Sequence, residues 1–147
     1  VPYLIVTKSA MVADDEYIEV LDKELAHIQV TITTTDDALS LTYEKASVPS
    51  DRIKAIEKLQ ANGFDVSVRL SPFIPEYVDI DIINNIRCDK ILVEFLRVNH
   101  WIKKWFDINY SEYTVKQSGY EHLPLEKKLE YINRIKNYKE KTSGFDN

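Results

Sequence analysis

Several polar side chains come directly after predicted strands, and their types suit the binding of a small anionic molecule. Lys8 follows the first predicted strand and Arg97 follows the fourth. The other candidates lie at the ends of the second, third and fourth strands: Thr33, Thr34, Thr35, Ser71, Pro72, Asn99 and His100. Ammonium and guanidinium groups bind carboxylates, while hydroxyl and amide groups bind sugar oxygens. Parallel α/β folds bind ligands beyond the carboxyl ends of their strands, so these residues are candidate ligand contacts.

Most of these candidates also have an ordinary structural interpretation. A lysine after a strand is often a solvated surface charge, and threonines are common in strands and turns. His100, next to Trp101, is expected to pack at the start of a helix. Glu94 is more unusual, because a carboxylate within an apolar strand needs a partner, which Arg69 or Arg97 could supply.

Composition limits the function classes. The 147 residues are enough for one domain, and 44% hydrophobic with 29% charged residues is typical of a globular protein. A net charge of -5 argues against nonspecific nucleic-acid binding by this segment alone. Cys88 is the only cysteine, so we assign it no role and expect a reducing, cytoplasmic compartment. No apolar run reaches the roughly 18 residues of a membrane-spanning helix, so no membrane partner is expected.

Four strands are predicted to position the candidates, at residues 3–7, 28–33, 66–70 and 91–96. The first is a continuous apolar run with β-branched residues, which is typical of a strand buried on both faces. The second alternates apolar Ile28, Val30 and Ile32 with Gln29, Thr31 and Thr33. We therefore expect its polar face to line something wetter than a packed core.

Helices are predicted between the strands. The first begins near Asp14 and continues through Leu25, and a loop spans residues 34–49. A second helix begins at Pro49 with Ser50 as its N-cap and ends at Gly63. A short acidic helix covers residues 80–85, and the longest helix runs from 124 to about 141, before a polar tail at 143–147. The aromatic residues between 101 and 120 are expected to form an interface or pack in the core.

The order β-α-β-α-β-α-β-α predicts an α/β fold with parallel pairing. Four strand-helix units are half of an eightfold barrel, so we expect a partial (β/α) barrel fragment plus a C-terminal helix. The chain is treated as a single domain over 1–147, with 101–147 forming an aromatic segment and the C-terminal helix. The first strand would be an exposed edge, open to a partner or to self-association.

Three stretches together resemble the later half of the radical S-adenosylmethionine (radical SAM) proteins, in particular the spore-photoproduct-lyase-like branch. They are residues 5–9 (IVTKS), 29–33 (QVTIT) with Glu44 and Arg52 downstream, and 68–75 (VRLSPFIP). Residues 93–99 (VEFLRVN) stand where the sixth barrel strand of that family would be. The resemblance covers about residues 3–100.

The resemblance implies a partial six-stranded parallel barrel. In that family, a Cys-x-x-x-Cys-x-x-Cys motif holds a 4Fe-4S cluster, and S-adenosylmethionine bound to it yields a 5′-deoxyadenosyl radical that abstracts hydrogen. This chain has no such motif, so the first two strands and the cluster loop would precede Val1. The missing N-terminal half of the barrel would then be a partner, and the chain alone would be inactive and hold neither cofactor nor metal.

The resemblance also assigns roles by position. Lys8 would pair with the methionine carboxylate, and Thr31 and Thr33 would lie near the ribose and methionine. Ser71 and Pro72 would lie near the adenine. Arg97 and Asn99 would stand on the substrate side. Thr33 stands where some relatives carry asparagine.

Three functions therefore remain open. The first is a fragment of a radical SAM enzyme that abstracts hydrogen from an unknown substrate, with a nucleic-acid photoproduct as one option that the charge does not support. The second is a non-catalytic α/β interaction module that self-associates or pairs with a partner. The third is an unrelated barrel lyase or isomerase in which Lys8 forms a Schiff base.

Overall fold

A four-stranded parallel sheet forms the centre of the fold. The computed structural model describes residues 1–139. The strands lie in the order β1-β2-β3-β4, with bounds Tyr3–Thr7 for β1, Ala26–Ile32 for β2, Asp65–Phe73 for β3 and Ile91–Phe95 for β4. Every neighbouring pair is parallel. The predicted α/β fold with four parallel strands is therefore confirmed.

Helices alternate with the strands, and a small antiparallel sheet is added near the end. The helices are α1 (Asp15–Val20), α2 (Asp37–Tyr43), α3 (Pro49–Ala61), α4 (Ile80–Asn84), α5 (Ile102–Trp105) and α6 (Leu125–Asn133). Single 3-10 turns lie at Ala10–Ala13 and Pro75–Tyr77. The antiparallel pair consists of β5 (Val115–Gln117) and β6 (Tyr120–His122), which the sequence analysis did not predict. Within residues 1–139, no helix is long and apolar enough to cross a membrane.

The two faces of the sheet differ in polarity. The register places Val30 opposite Val68, and these side chains join Ile56 of α3 in the apolar core. On the other face, Thr31 stands opposite Arg69. Side chains alternate along each strand, so Gln29, Thr31, Ser67, Arg69 and Glu94 share this second face, which we call the polar face. The predicted polar face of the second strand is therefore present and extends across β3 and β4.

The first strand is less buried than its composition predicted. Tyr3, Leu4 and Val6 are 38%, 40% and 50% exposed, so burial on both faces was the wrong interpretation. The physical reason is its position, because β1 lies at the edge of the sheet and pairs with β2. The same position confirms that β1 is an edge strand.

Several helix boundaries also differ from the predictions. Helix α1 ends at Val20 instead of Leu25, and the predicted loop at 34–49 contains α2, which Asp36 caps through the backbone N–H groups of Ala38 and Leu39. Helix α3 has Val48 at its N-cap instead of Ser50. It ends before Gly63, whose φ of +85° confirms the predicted left-handed turn.

The last helix is shorter than predicted, and α3, with 13 residues, is the longest. Helix α6 ends at Asn133, because Asn84 binds the chain just beyond it. The Asn84 amide donates to the carbonyl oxygen of Arg134, and its oxygen accepts from the backbone N–H of Lys136. Residues 140–141 of the predicted helix and the predicted tail at 143–147 lie outside the described residues.

The chain after α6 pairs with the outer edge of β4. Tyr138 forms a parallel bridge with Ile91. The Ile91 N–H donates to the Asn137 carbonyl at 2.9 Å, and the Lys139 N–H donates to the Ile91 carbonyl at 3.0 Å. This edge of the sheet is thereby covered, whereas among residues 1–139 no strand pairs with the outer side of β1.

The aromatic stretch divides between a second core and the surface. Tyr113 is buried with Ile74, Leu96, Val98 and Leu123. Trp101 and Trp105 are 63% and 74% exposed. Core packing thus accounts for the tyrosine but not for the two tryptophans.

Candidate functional site

Lys8 lies just beyond β1, at the carboxyl edge of the sheet, and its amine contacts a carboxylate. Lys8 Nζ is 3.0 Å from Glu44 Oε2. The Lys8 side chain is 49% exposed, whereas that of Glu44 is 4% exposed. The lysine therefore presents a cation to solvent while its inner side is held by a nearly buried acid.

Glu44 is held in turn by Arg52, which is completely buried. The Arg52 guanidinium donates to Glu44 Oε1 at 2.9 Å, to the Thr31 carbonyl at 3.0 Å and to the Ser47 carbonyl at 2.6 Å. A buried guanidinium needs such partners, because an unpaired charge away from water is strongly unfavourable. Arg52 thus ties the end of β2 to the segment between α2 and α3.

The three charges form one cluster with a net charge of one positive unit, which we call the Lys8 cluster (Lys8, Glu44 and Arg52). Burial alone would raise the pKa of Glu44. The hydrogen bond from Arg52, together with the charges of Arg52 and Lys8, outweighs burial and holds the pKa of Glu44 below its ordinary value of 4.5. Glu44 therefore stays ionised, and one positive charge is left over for an anionic ligand.

A second ionic contact lies on the polar face. Arg69 donates to Glu94 Oε1 at 2.8 Å and approaches Thr31 Oγ1 at 3.4 Å. Of the two partners that the sequence left open for Glu94, the structure shows a contact with Arg69. Both side chains are about one-third exposed, at 27% and 35%, so this pair is a polar part of the sheet surface and not a sealed core contact.

Thr33 lies among aromatic side chains. Its hydroxyl is 2.6 Å from the Tyr43 hydroxyl, and Tyr43 packs against Tyr77 and Phe106, with ring centroids 6.0 and 6.1 Å away. Burial is the main cause that raises the pKa of Tyr43 to about 12, so its phenol stays neutral. Thr33 is itself buried, and its hydroxyl already has this partner.

The structure places the remaining candidates in different surroundings. Ser71 and Pro72 belong to β3, are half-buried and are joined by a cis peptide bond. Arg97 is exposed, with its guanidinium 4.7 Å from the ring centre of Tyr120 on β6. Asn99 accepts hydrogen bonds from the backbone N–H groups at 101 and 102, which start α5.

The candidates are therefore only partly brought together. Lys8 and Thr31 are linked through the Lys8 cluster, because Arg52 bonds both Glu44 and the Thr31 carbonyl. Arg97 and Asn99 have contacts elsewhere, with the β5–β6 hairpin and with α5. Their substrate-side role stays a prediction. The sequence indicated Arg69 only as a possible partner of Glu94. Alternation in the third strand places Arg69 on the face opposite Val68, but its register opposite Thr31 comes from the structure.

A third ionic group lies at the opposite end of the sheet. Asp65 Oδ2 is 2.5 Å from His27 Nδ1, and Asp65 Oδ1 is 2.5 Å from Lys90 Nζ. Burial would raise the pKa of Asp65, but hydrogen bonds from Lys90 and His27 lower it. These residues stand at the amino ends of β2, β3 and β4, away from the carboxyl edge where Lys8 lies.

The described residues fit the two implied cofactors differently. They contain no group of three or more His, Cys, Asp or Glu side chains that could hold a metal ion. Cys88 is buried, and its thiol donates to the Val66 carbonyl, while burial raises its pKa, so it does not fit as a cluster ligand. The Lys8 cluster, in contrast, offers a half-exposed cation that fits the carboxylate of S-adenosylmethionine.

Two solved structures of spore photoproduct lyase match this fold. The first, a complex with dinucleoside spore photoproduct, matches with a TM-score of 0.61 and 12% sequence identity. The second, a double mutant with bound AdoMet and dinucleoside spore photoproduct, matches with a TM-score of 0.60 and 12% identity. This chain has the fold of part of spore photoproduct lyase.

The extent of the match is asymmetric. It covers 91% of this chain and 46% of the spore photoproduct lyase chain, so this chain spans less than half the length of the structures that it matches. No protein-family model matches the sequence, and no curated protein matches it. The resemblance to the spore-photoproduct-lyase-like branch is thus confirmed at the level of the fold.

Proposed function

We propose that this chain is the C-terminal part of the barrel of a radical SAM enzyme, contributing strands three to six. The observation that carries the proposal is the match to spore photoproduct lyase over 91% of the chain, together with a half-exposed lysine at the carboxyl edge of the sheet. In that proposal, Lys8 binds the methionine carboxylate of S-adenosylmethionine. S-adenosylmethionine, if its carbon–sulfur bond were cleaved by one electron from a reduced iron–sulfur cluster, would supply methionine and a carbon radical able to abstract hydrogen.

The other residues of the chain would shape the space around the cofactor. Thr31 and Thr33 would line the ribose and methionine side, and Ser71 and Pro72 would line the adenine side. Thr31 and Arg69, in register on the polar face, make this wall polar near the carboxyl edge of the sheet. Arg97 and Asn99 would stand on the substrate side, as the resemblance implies. The iron–sulfur cluster would come from residues outside this chain.

The substrate class suggested by the matched structures is a nucleic-acid photoproduct, because both contain dinucleoside spore photoproduct. The net charge of -5 adds no support for it. A screen of photoproduct-containing dinucleotides against undamaged dinucleotides, with conversion followed by mass spectrometry, tests this part separately from the radical chemistry.

The decisive experiment uses the complete protein that contains these residues. It is purified without oxygen, reconstituted with iron and sulfide, and reduced with dithionite, and 5′-deoxyadenosine release is measured. We expect release, and we expect Lys8→Met to reduce it at least tenfold, as estimated for a lost charge-assisted hydrogen bond. Lys54→Met, which removes an exposed lysine from α3, is the matched control. No release from well-reconstituted protein would refute the proposal.

The open edge β1 supports a further part of the proposal, namely that the N-terminal part of the barrel pairs there. Tyr3, Leu4 and Val6 are exposed along this strand, and an unpaired strand edge readily accepts another strand. The same edge would also serve the second candidate, a self-associating interaction module. Sedimentation of this chain alone, with and without its N-terminal counterpart, distinguishes a complementary pair from a dimer of identical chains.

A Schiff-base enzyme has less support. Such a lysine needs a desolvated amine, whereas Lys8 is half-exposed and ion-paired with Glu44. Borohydride treatment with small aldehydes should leave Lys8 no more modified than Lys54.

A further inference from the structure

Glu44 and Arg52 have no direct place in the proposed cofactor contacts, yet they determine where the Lys8 amine stands. Lys8 follows a strand at the edge of the sheet and is half-exposed, so solvent, and not packed neighbours, surrounds about half of its long side chain. Its amine contacts Glu44, which is nearly buried. A flexible lysine held in this way is pre-organised for a ligand, because less rotamer freedom is lost on binding.

Glu44 alone would position Lys8 poorly for an anionic ligand, because its negative charge would cancel the positive charge of Lys8. Arg52 removes this conflict by binding the other carboxylate oxygen, Oε1, at 2.9 Å. Its remaining donors bind the Thr31 and Ser47 carbonyls, so the guanidinium itself is fixed. Among the described residues, Glu44 Oε2 is a buried side-chain oxygen with no aligned hydrogen bond, and the ammonium of Lys8 is its charged neighbour.

We propose that Arg52 and Glu44 are positioning residues that hold the Lys8 amine at the carboxyl edge of the sheet and leave its positive charge available to a ligand carboxylate. This inference rests on the proposed function, since Lys8 must bind the carboxylate for its position to matter. Arg52 neutralises Glu44 and fixes it, and Glu44 fixes Lys8. Loss of Arg52 should therefore have two effects, both of which weaken the binding of a ligand carboxylate. The Lys8 amine is drawn to an uncompensated acid, and its positive charge is cancelled.

The first test compares two ligands that differ in the carboxylate alone. S-adenosylmethionine and its decarboxylated form are bound to the cluster-free complete protein, so that iron contributes nothing, and both affinities are measured by calorimetry. We expect the unmodified protein to prefer the carboxylate form about tenfold, in line with a charge-assisted contact. Lys8→Met and Arg52→Gln should each abolish this preference, whereas Lys54→Met should preserve it.

A double variant that removes both charges separates the charge effect of Arg52 from general support of the fold. In Arg52→Gln with Glu44→Gln, no uncompensated acid faces Lys8, so its charge again favours the carboxylate form. Because Glu44 no longer holds the amine, we expect the preference to return only in part, to within about threefold of that of the unmodified protein. If Arg52 only supports the fold, Arg52→Gln weakens both ligands alike and the second substitution restores nothing. That result would overturn the inference, as would an unchanged preference in Arg52→Gln.

A second test remains decisive if Arg52→Gln fails to fold. Glu44→Gln leaves Arg52 its two carbonyl partners, and it releases the Lys8 amine. Brief treatment of this chain with a neutral acetylating reagent, followed by peptide mass spectrometry, should show Lys8 reacting several-fold more slowly than Lys54 in the unmodified chain. In Glu44→Gln, the two rates should become equal. Equal rates in the unmodified chain would show that Glu44 does not hold the amine.

The two proposals fail in different ways. If Lys8→Met keeps the carboxylate preference, Lys8 does not bind the carboxylate and the proposed cofactor contact is wrong. If Lys8→Met abolishes the preference but Arg52→Gln does not, the cofactor contact stands and only the positioning role is refuted.

Discussion

Replacing Arg52 with methionine should strongly destabilise the fold, because it leaves Glu44 buried with less compensation. Arg52 is fully buried, and Glu44 is 4% exposed. Breaking a buried ion pair by removing one partner typically costs about 3–5 kcal/mol. The Thr31 and Ser47 carbonyls also lose their guanidinium donor. Against a typical domain stability of about 5–15 kcal/mol, this is a large loss.

The loss of stability in Arg52→Met should also depend on pH, and the ionisation of Glu44 determines whether it grows or shrinks on acidification. In the unmodified chain, the pKa of Glu44 is lowered, so its ionised form stabilises the fold above the ordinary value of 4.5 and this contribution is lost as pH falls through the lowered pKa. Without Arg52, only Lys8 opposes the effect of burial on the pKa of Glu44. The neutral form of Glu44 is therefore more favoured in the folded variant than in the unmodified chain. The difference in unfolding free energy between the variant and the unmodified chain should therefore narrow as pH falls below 4.5.

Urea unfolding followed by far-ultraviolet circular dichroism measures both effects. A loss of about 4 kcal/mol shifts the midpoint by about 2 M, given a typical slope of 2 kcal/mol per M. Trp101 and Trp105 are mostly exposed, which makes their fluorescence a weak reporter. Lys58→Met, which removes an exposed ion pair with Asp15, is the control and should change little. If Arg52→Met behaves like this control, or if its deficit grows on acidification, the reasoning is wrong.

Three further predictions concern other parts of the fold. Gly63→Ala should cost about 1 kcal/mol in urea unfolding, because the residue has a φ of +85°. Tyr43 ionises at about pH 12 when folded, so stability should fall as pH rises from 10 towards 12, and Tyr43→Phe should weaken this dependence when both chains are followed by circular dichroism. Asn99→Ala should cost about 1 kcal/mol by removing the hydrogen bonds at the start of α5; a larger effect on substrate conversion than on stability would instead support its substrate-side role.

The strands were predictable because their signals are local. Apolar runs and alternation placed all four, and the alternation in the second strand predicted its polar side of the sheet. The burial of β1 was not predictable in the same way. Whether an apolar run lies at the centre or edge of a sheet depends on its neighbours, and Leu4 and Val6 carry no local sign of their exposure.

The helices were less predictable because tertiary contacts determined their extents. Helix α2 has Ser40 as its one buried residue within the described chain, so it shows no apolar stripe. Its capping residue Asp36 was an available signal. The apolar spacing of α6 continues through Ile135 and Tyr138, but hydrogen bonds to Asn84 and Ile91 replace the helical ones after Asn133.

In the candidate site, too, some residues had a local sequence signal and others were brought together by tertiary contacts. Lys8 was found from its place after a strand, and Glu44 and Arg52 appeared only as members of a motif. In the Lys8 cluster, Lys8 contacts Glu44 and Glu44 contacts Arg52. The first and last of these residues are 44 positions apart in the sequence, and no local pattern encodes such a contact. Asn99 was ambiguous as a site signal, because a side chain that accepts hydrogen bonds at the start of a helix has the same polarity as one that binds a ligand.

The short pairing of residues 137–139 with β4 gives the sheet a direction of growth. Backbone groups of Ile91 are already bonded to Asn137 and Lys139, so this flank is partly sealed, whereas the flank at β1 is not. A strand added to this sheet from elsewhere would therefore join it at β1, next to which no other described strand than β2 lies, and not beside β4.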